Sequence, residues 1–211
     1  MKFMRIVIVL VILAAAGGLG AFLYLSGTRD RHESGALASN TADSGSPSAA
    51  LGKLTPLDPP RPAPELSVAA RDGSLAQLAD FRGHWLLINL WATWCAPCVR
   101  EMPSLDRLQA KLGDRLMVLA VSQDRGGAQV VDPFLAKLSL AALHIYLDPK
   151  AVLGKGLGAR GLPTTFLVDR EGLVRAQLEG AAEWDSPAML AAFERYFRDA
   201  DAGTNGAGER G

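Results

Sequence analysis

Cysteine, histidine and net charge are what this sequence has least of. Two cysteines occur in 211 residues. That is too few for the disulfide framework of a small secreted scaffold or for a four-cysteine zinc site. The three histidines, His32, His84 and His144, lack metal-ligand spacing. Lys and Arg together number 22, as do Asp and Glu, so the formal net charge is zero. The basic surplus of a nucleic-acid binder is therefore missing, and no nucleic-acid partner is expected. No internal repeat is found. What remains is an ordinary globular composition, 49% apolar and 21% charged, with length for about one domain plus appendages.

The appendages come first. Lys2 and Arg5 precede an uncharged run of 20 residues, Ile6 to Leu25. As a helix it spans about 30 Å, the thickness of a bilayer's hydrocarbon core. The preceding charges favour a cytoplasmic N-terminus, although Arg29 and Arg31 on the far side weaken the bias. Residues 1–25 are expected to be a membrane anchor. A cleaved signal sequence with small residues at Ala14-Ala15-Ala16 is the alternative. Either reading exports the rest of the chain. Residues 26–64 read as a linker. Up to Ala50 it is rich in Ser, Gly, Ala and Asp and buries no core. Pro56, Pro59, Pro60, Pro62 and Pro64 then predict an extended, semi-rigid spacer. Residues 199–211 read as a disordered tail. The globular domain is expected over residues 65–198.

Within it, Trp85 to Trp91 is a near-continuous apolar run, suited to a strand buried on both faces. Helical spacing of Val99, Met102, Leu105, Leu108 and Leu112 predicts a helix over Ala96 to Leu112, stopped at Gly113 and kinked at Pro103. A second buried strand is predicted over Arg115 to Ser122. A helix over Val130 to Leu138 follows, with Asp132 as its N-cap. Then come a strand over Leu143 to Leu147, a short helix over Ala151 to Leu157 and a hairpin of Thr165–Val168 with Leu173–Glu179 around Asp169-Arg170-Glu171-Gly172. A helix over Ala188 to Phe197 closes the domain. Alternation of strands and helices predicts an α/β sandwich with a mixed sheet.

Both cysteines fall where the first strand meets its helix, in Trp94-Cys95-Ala96-Pro97-Cys98. Free N–H groups and the helix macrodipole favour negative charge there. Cys95 therefore has the thiol more easily ionised, and the thiolate is the nucleophile. Cys98, one turn inside the helix, is expected to be less exposed and to resolve. Pro97 is tolerated in a first turn. A purely structural disulfide is the weaker reading. Closing so small a ring contributes about 2 kcal/mol, against about 3 for a 15-residue loop. A copper site is another reading, since soft thiolates select that metal.

Leu90-Trp91-Ala92-Thr93-Trp94-Cys95-Ala96-Pro97-Cys98 resembles the thioredoxin-fold active site, and Gly161-Leu162-Pro163-Thr164-Thr165 resembles the same superfamily's second signature. The pair, in this order and spacing, is similar to the TlpA/ResA-like branch of membrane-anchored thiol-disulfide oxidoreductases. The resemblance covers Ala63 to Phe197 and is closest to TlpA. It implies a thioredoxin-like fold, a central mixed sheet flanked by helices, with an extra strand–helix insertion over Ile145 to Leu157. It implies a redox-active Cys95–Cys98 disulfide, no further cofactor and no metal. Pro163 then corresponds to the cis-proline that faces the dithiol. Trp94, Ala96, Pro97, Leu162 and Pro163 line the substrate groove, and Pro103 is the kink proline. Glu101 corresponds to a glutamate near the dithiol that can relay the proton of Cys98. Asn89 stands where thioredoxins carry a buried aspartate. Gly180-Ala181-Ala182-Glu183-Trp184 resembles a late segment of TlpA proteins. Thr164 after Pro163 departs from the glutamate usual in chains of the cytochrome-c-maturation type.

The function so implied is an extracytoplasmic protein disulfide reductase. Its substrates would be proteins of cytochrome oxidase copper-site or cytochrome c assembly, and its electron donor a membrane thiol transporter. The implied location is the bacterial inner membrane, single-pass, with the domain facing the periplasm. The alternatives are a copper-binding chaperone using the same cysteines and a disulfide-donating oxidant. The Pro62-Ala63-Pro64-Glu65-Leu66 entry also resembles peroxiredoxins, but Ala92 replaces the threonine those enzymes carry three residues before the cysteine.

Overall fold

All six residues of β4, Leu86–Trp91, are buried, as a strand covered on both faces requires. In the computed structural model, which describes residues 53–207, β4 lies inside an eight-stranded mixed sheet. It pairs parallel with β5 (Met117–Ser122) and antiparallel with β7 (Thr164–Val168). Beyond β5 come β6 (His144–Leu147), in parallel, then β2 (Ser67–Ala70) and β3 (Leu75–Gln77), both antiparallel. Beyond β7 come β8 (Leu173–Glu179) and β1 (Thr55–Pro62), both antiparallel. Among the described residues the α-helices are α1 (Ala96–Leu112), α2 (Ala128–Leu135), α3 (Val152–Gly156) and α4 (Pro187–Ala207).

Strand alternation sorts the core into two faces. Leu87 of β4, Val118 of β5 and Leu167 of β7 pack with Leu105 and Leu108 of α1 and with Phe193 and Phe197 of α4. Leu86, Ile88 and Leu90 of β4 pack instead with Leu153 of α3 and Leu157. Asn89 and Trp91 share the period of Leu87, so both fall on the α1 side. This is the α/β mixed sheet with flanking helices, thioredoxin-like, including β6 and α3 as the extra strand–helix pair.

Several boundaries differ from expectation. The proline-rich stretch is extended, but part of it is an edge strand of the sheet and not a spacer. β1 pairs Thr55 with Gln177 and Pro62 with Leu173, with a register shift between Pro56 and Arg61. Proline lacks an N–H for a second partner strand, which an edge tolerates. The Arg61 guanidinium also donates to the Leu157 carbonyl. The domain thus includes residues well ahead of Glu65. The anchor at residues 1–25 and the linker up to residue 52 lie outside the described residues. Among those described, no helix is long and apolar enough to cross a membrane.

Helix α2 starts earlier than its pattern implied. Its cap is Gly127, at φ +54°, a conformation glycine adopts without strain. Asp132 lies inside the helix, and its carboxylate accepts from Arg71 Nε at 2.7 Å instead of capping. The hairpin β2–β3 is too short and too poor in large apolar residues to announce itself. Backbone helix α4 continues to Ala207, into the segment read as a tail.

Candidate active site

The strand β4 ends at Trp91, and the chain needs four residues to reach α1. A buried carboxylate shapes that turn. Asp124 accepts from the Thr93 N–H (2.9 Å), the Thr93 hydroxyl (2.8 Å) and the Ser122 hydroxyl (2.9 Å). The Cys95 N–H returns to the Ala92 carbonyl at 3.1 Å. Cys95 is thereby set as the N-cap of α1, with extended backbone at φ −87°, ψ 95°, and its sulfur accepts from the Cys98 N–H at 3.4 Å. The two cysteines form a disulfide, with Cα atoms 5.3 Å apart. Cys95 is 5% exposed and Cys98 fully buried.

The expected groove residues gather only partly around the sulfurs. Trp94 stands out from the surface, 71% exposed, next to Cys95. Ala96 is exposed and Pro97 half-buried. Leu162 packs against the cluster of Trp91, Ala92, Cys95, Cys98 and Met102. The Leu162–Pro163 peptide is cis, and Pro163 is buried at the start of β7. Pro103 stands inside α1. A cleft of about 990 Å³, lined by Lys53, Leu54, Met189, Arg195 and Tyr196 among others, contains neither cysteine. Sulfur chemistry, not concavity, therefore locates this site.

Glu101 lies on α1 one turn beyond Cys98 and is 2% exposed. Strand register explains its partner. Asn89 faces α1 between Leu87 and Trp91, flanked in the sheet by Ala120 and Thr165. Its amide N–H groups donate to Glu101 Oε1 at 2.8 Å and to Thr165 Oγ1 at 2.9 Å. Asn89 Oδ1 is buried without a partner. Two more donors reach Glu101 Oε2: the Ala182 N–H at 3.0 Å and the Trp184 indole N–H at 2.9 Å. Burial pushes the carboxyl up to about 7, with the bonds from Trp184, Ala182 and Asn89 opposing. A carboxyl so placed exchanges protons near neutral pH.

Ala182, Trp184, Asp124 and Ser104 were not singled out as site residues from sequence. Ser104 Oγ accepts from the Trp184 N–H at 3.1 Å, pinning the segment after β8 to α1. The signals available were Trp184 itself, a large apolar residue set among Glu183, Asp185 and Ser186, and the resemblance of Gly180 to Trp184 to a late TlpA segment. Among the described residues no cluster of three or more His, Cys, Asp or Glu could hold a metal.

Comparison with known proteins places this arrangement. Residues 59–177, more than half of the chain, match the family described as AhpC/TSA. The thioredoxin-like protein YneN of Bacillus subtilis is 34% identical over 54% of this chain and 66% of its own length. The thiol:disulfide interchange protein DsbE of Pseudomonas aeruginosa is 31% identical over 65% of this chain and 71% of its own. A thiol-disulfide oxidoreductase ResA of Bacillus cereus is 31% identical over 56% and 68%. A solved structure of a putative DsbE from Chlorobium tepidum superposes with TM-score 0.57 at 30% identity, covering 70% of this chain and 99% of that one. The exposed lipoprotein thioredoxin of Streptococcus pneumoniae gives 0.54 at 28%, covering 63% and 99%. With a disulfide at a helix N-terminus on a thioredoxin-like sheet, the chain belongs to the AhpC/TSA family and is a thiol-disulfide oxidoreductase of the ResA/DsbE type.

Proposed function

We propose that the protein is an extracytoplasmic disulfide reductase in which Cys95 attacks, Cys98 resolves and Glu101 handles the proton. The observation that carries this reading is the place of Cys95 as the N-cap of α1, its sulfur facing the Cys98 N–H. On reduction, that N–H and the helix N-terminus stabilise a Cys95 thiolate. The thiolate attacks a substrate disulfide, forms a mixed disulfide and expels one substrate thiolate. Cys98 then gives its proton to the Glu101 carboxylate and attacks Cys95 Sγ, expelling the second substrate thiolate. The substrate has gained two electrons, and the chain is left as the Cys95–Cys98 disulfide. Glu101 returns its proton to the departing thiolate. A membrane thiol transporter with its own dithiol is the proposed reductant that restores the pair.

The apolar run from Ile6 to Leu25, with Lys2 and Arg5 ahead of it, supports a single-pass anchor in the bacterial inner membrane and a periplasmic domain. The TlpA-like segment Gly180–Trp184 supports substrates in cytochrome oxidase copper-site or cytochrome c assembly, and Thr164, in place of the glutamate usual in the cytochrome-c-maturation type, tilts that choice toward the copper site. Reduction potential separates reductant from oxidant. A value near or below about −230 mV for the full chain is expected, whereas one near about −120 mV would make it a disulfide donor. Trapping tests the roles: Cys98→Ser accumulates a mixed disulfide with substrate, and Cys95→Ser does not. Equal trapping by both variants overturns the assignment.

A further inference from the structure

The segment joining β8 to α4, Gly180 to Trp184, touches both halves of the site. Its first N–H, from Gly180, donates to the Pro163 carbonyl at 2.9 Å. Its next contacts are the Ala182 and Trp184 donors, which both end on Glu101 Oε2. A carboxylate oxygen offers two lone-pair sites, so Oε2 is filled. Among the described residues Oε1 accepts from Asn89 alone, which leaves one site open. The indole is held rigidly: Trp184 is fully buried, its ring stacks on Phe193 at 6.5 Å between centroids, and its backbone N–H is tied to Ser104.

We propose that Trp184 is a positioning residue of the exchange reaction, whose indole N–H locks Glu101 Oε2 so that Oε1 takes and returns the Cys98 proton. The inference rests on the reading of Glu101 as the proton acceptor. In the resolving step the S–H bond of Cys98 breaks and an O–H bond forms at Oε1. When the second substrate thiolate departs, that proton passes to it and Oε1 is free again. Around Glu101, β4 presents the neutral Asn89, itself bonded to Thr165 of β7, and Cys98 lies three residues earlier on α1. The linking segment carries Glu183 and Asp185, both paired with Arg107 at 2.6 and 2.8 Å. The indole hydrogen bond favours the ionised carboxylate against the burial that opposes it.

The test is the pH profile of the resolving step, followed in single turnover on the full chain with oxidised glutathione as substrate. Glu101→Gln serves as reference, Trp184→Phe removes the N–H, and 3-benzothienylalanine at position 184 removes it while keeping the indole shape. The unaltered protein shows an ionisation near pH 7, which Glu101→Gln abolishes. Both changes at Trp184 keep the ionisation but move its midpoint up by about one pH unit. Their rate at neutral pH falls about fivefold and recovers in alkali. A merely structural role would not move the midpoint. If the Glu101→Gln profile is altered but the position-184 variants keep the original midpoint, Trp184 has no positioning role and Glu101 retains its own. If Glu101→Gln leaves the profile intact, the Glu101 reading fails and takes this inference with it. Folding of the variants is not essential. In the unaltered protein the Trp184 indole NMR signal follows the same ionisation, and a signal flat through neutral pH overturns the proposal.

Discussion

Two helices of this domain begin at the same end of the parallel strands, and their N-termini meet different acceptors. Helix α3 starts at Val152, and Asp148, just after β6, accepts with its carboxylate the N–H groups of Val152 (2.8 Å) and Gly154 (3.2 Å). Gln123 Nε2 adds a third donor at 3.2 Å. Helix α1 starts after β4 at Cys95, whose sulfur accepts one N–H. The anion at α3 is present in both redox states and serves the fold. At α1 the acceptor is neutral as a disulfide and anionic as a thiolate, so the same helix-end physics favours one redox state over the other. Stabilising the reduced form makes a dithiol more oxidising. The N-terminus of α1 therefore sets a driving force, where that of α3 sets only a shape.

The largest effect that probes this contrast is removal of the conditional acceptor. Cys95→Ser abolishes exchange with oxidised glutathione to background, and Asp148→Ala leaves the rate per folded molecule within about twofold. Loss of exchange in both variants would erase the distinction.

A second buried carboxylate sharpens it. Glu101 titrates at about 7 in the folded chain, against 4.5 as a free side chain. Between those values the native state holds a proton that the unfolded state has lost. Its stabilising contribution is full below pH 4.5 and is lost as pH rises through about 7, by about 3 kcal/mol in all. Denaturant unfolding at about pH 5 and about pH 8 should show this decline, flattened in Glu101→Gln. Next in size, Asp148→Ala costs about 2 kcal/mol of stability at neutral pH, because the Val152 and Gly154 N–H groups lose their buried acceptor, read from the same unfolding curves. Smallest is Arg107→Ala, far from either helix start. Its pairs with Glu183 and Asp185 are half-exposed on the arginine side, and its loss leaves the unfolding midpoint almost unchanged.

The same two regions show what was legible in the sequence. β4 and α1 were readable nearly to the residue, because a continuous apolar run and a helical repeat each carry a period. Cys95 as a helix cap followed from that boundary alone. The edge strand β1 was read as spacer, since proline density signals extended chain without saying what it pairs with. Helix α2 was misplaced because an Asp-Pro pair imitates a helix start, while Gly127 supplied the real one. The Glu101 environment was half visible. The glutamate came from the resemblance to the TlpA/ResA-like branch, but the donors from Ala182 and Trp184 lie some eighty residues away in sequence. Such contacts emerge only when β8 returns beside β7.

The proline-bearing strand β1 also governs what this molecule can do in company. A sheet margin with an unbroken row of donors and acceptors is a template on which another chain can crystallise as one more strand. Here Pro56, Pro59, Pro60 and Pro62 contribute no N–H, and the register shift breaks the row between Pro56 and Arg61. The opposite margin is β3, three residues long. Lateral growth is blocked on one side and starved of length on the other. Among the described residues, both margins of the sheet are thus poor templates for one more strand.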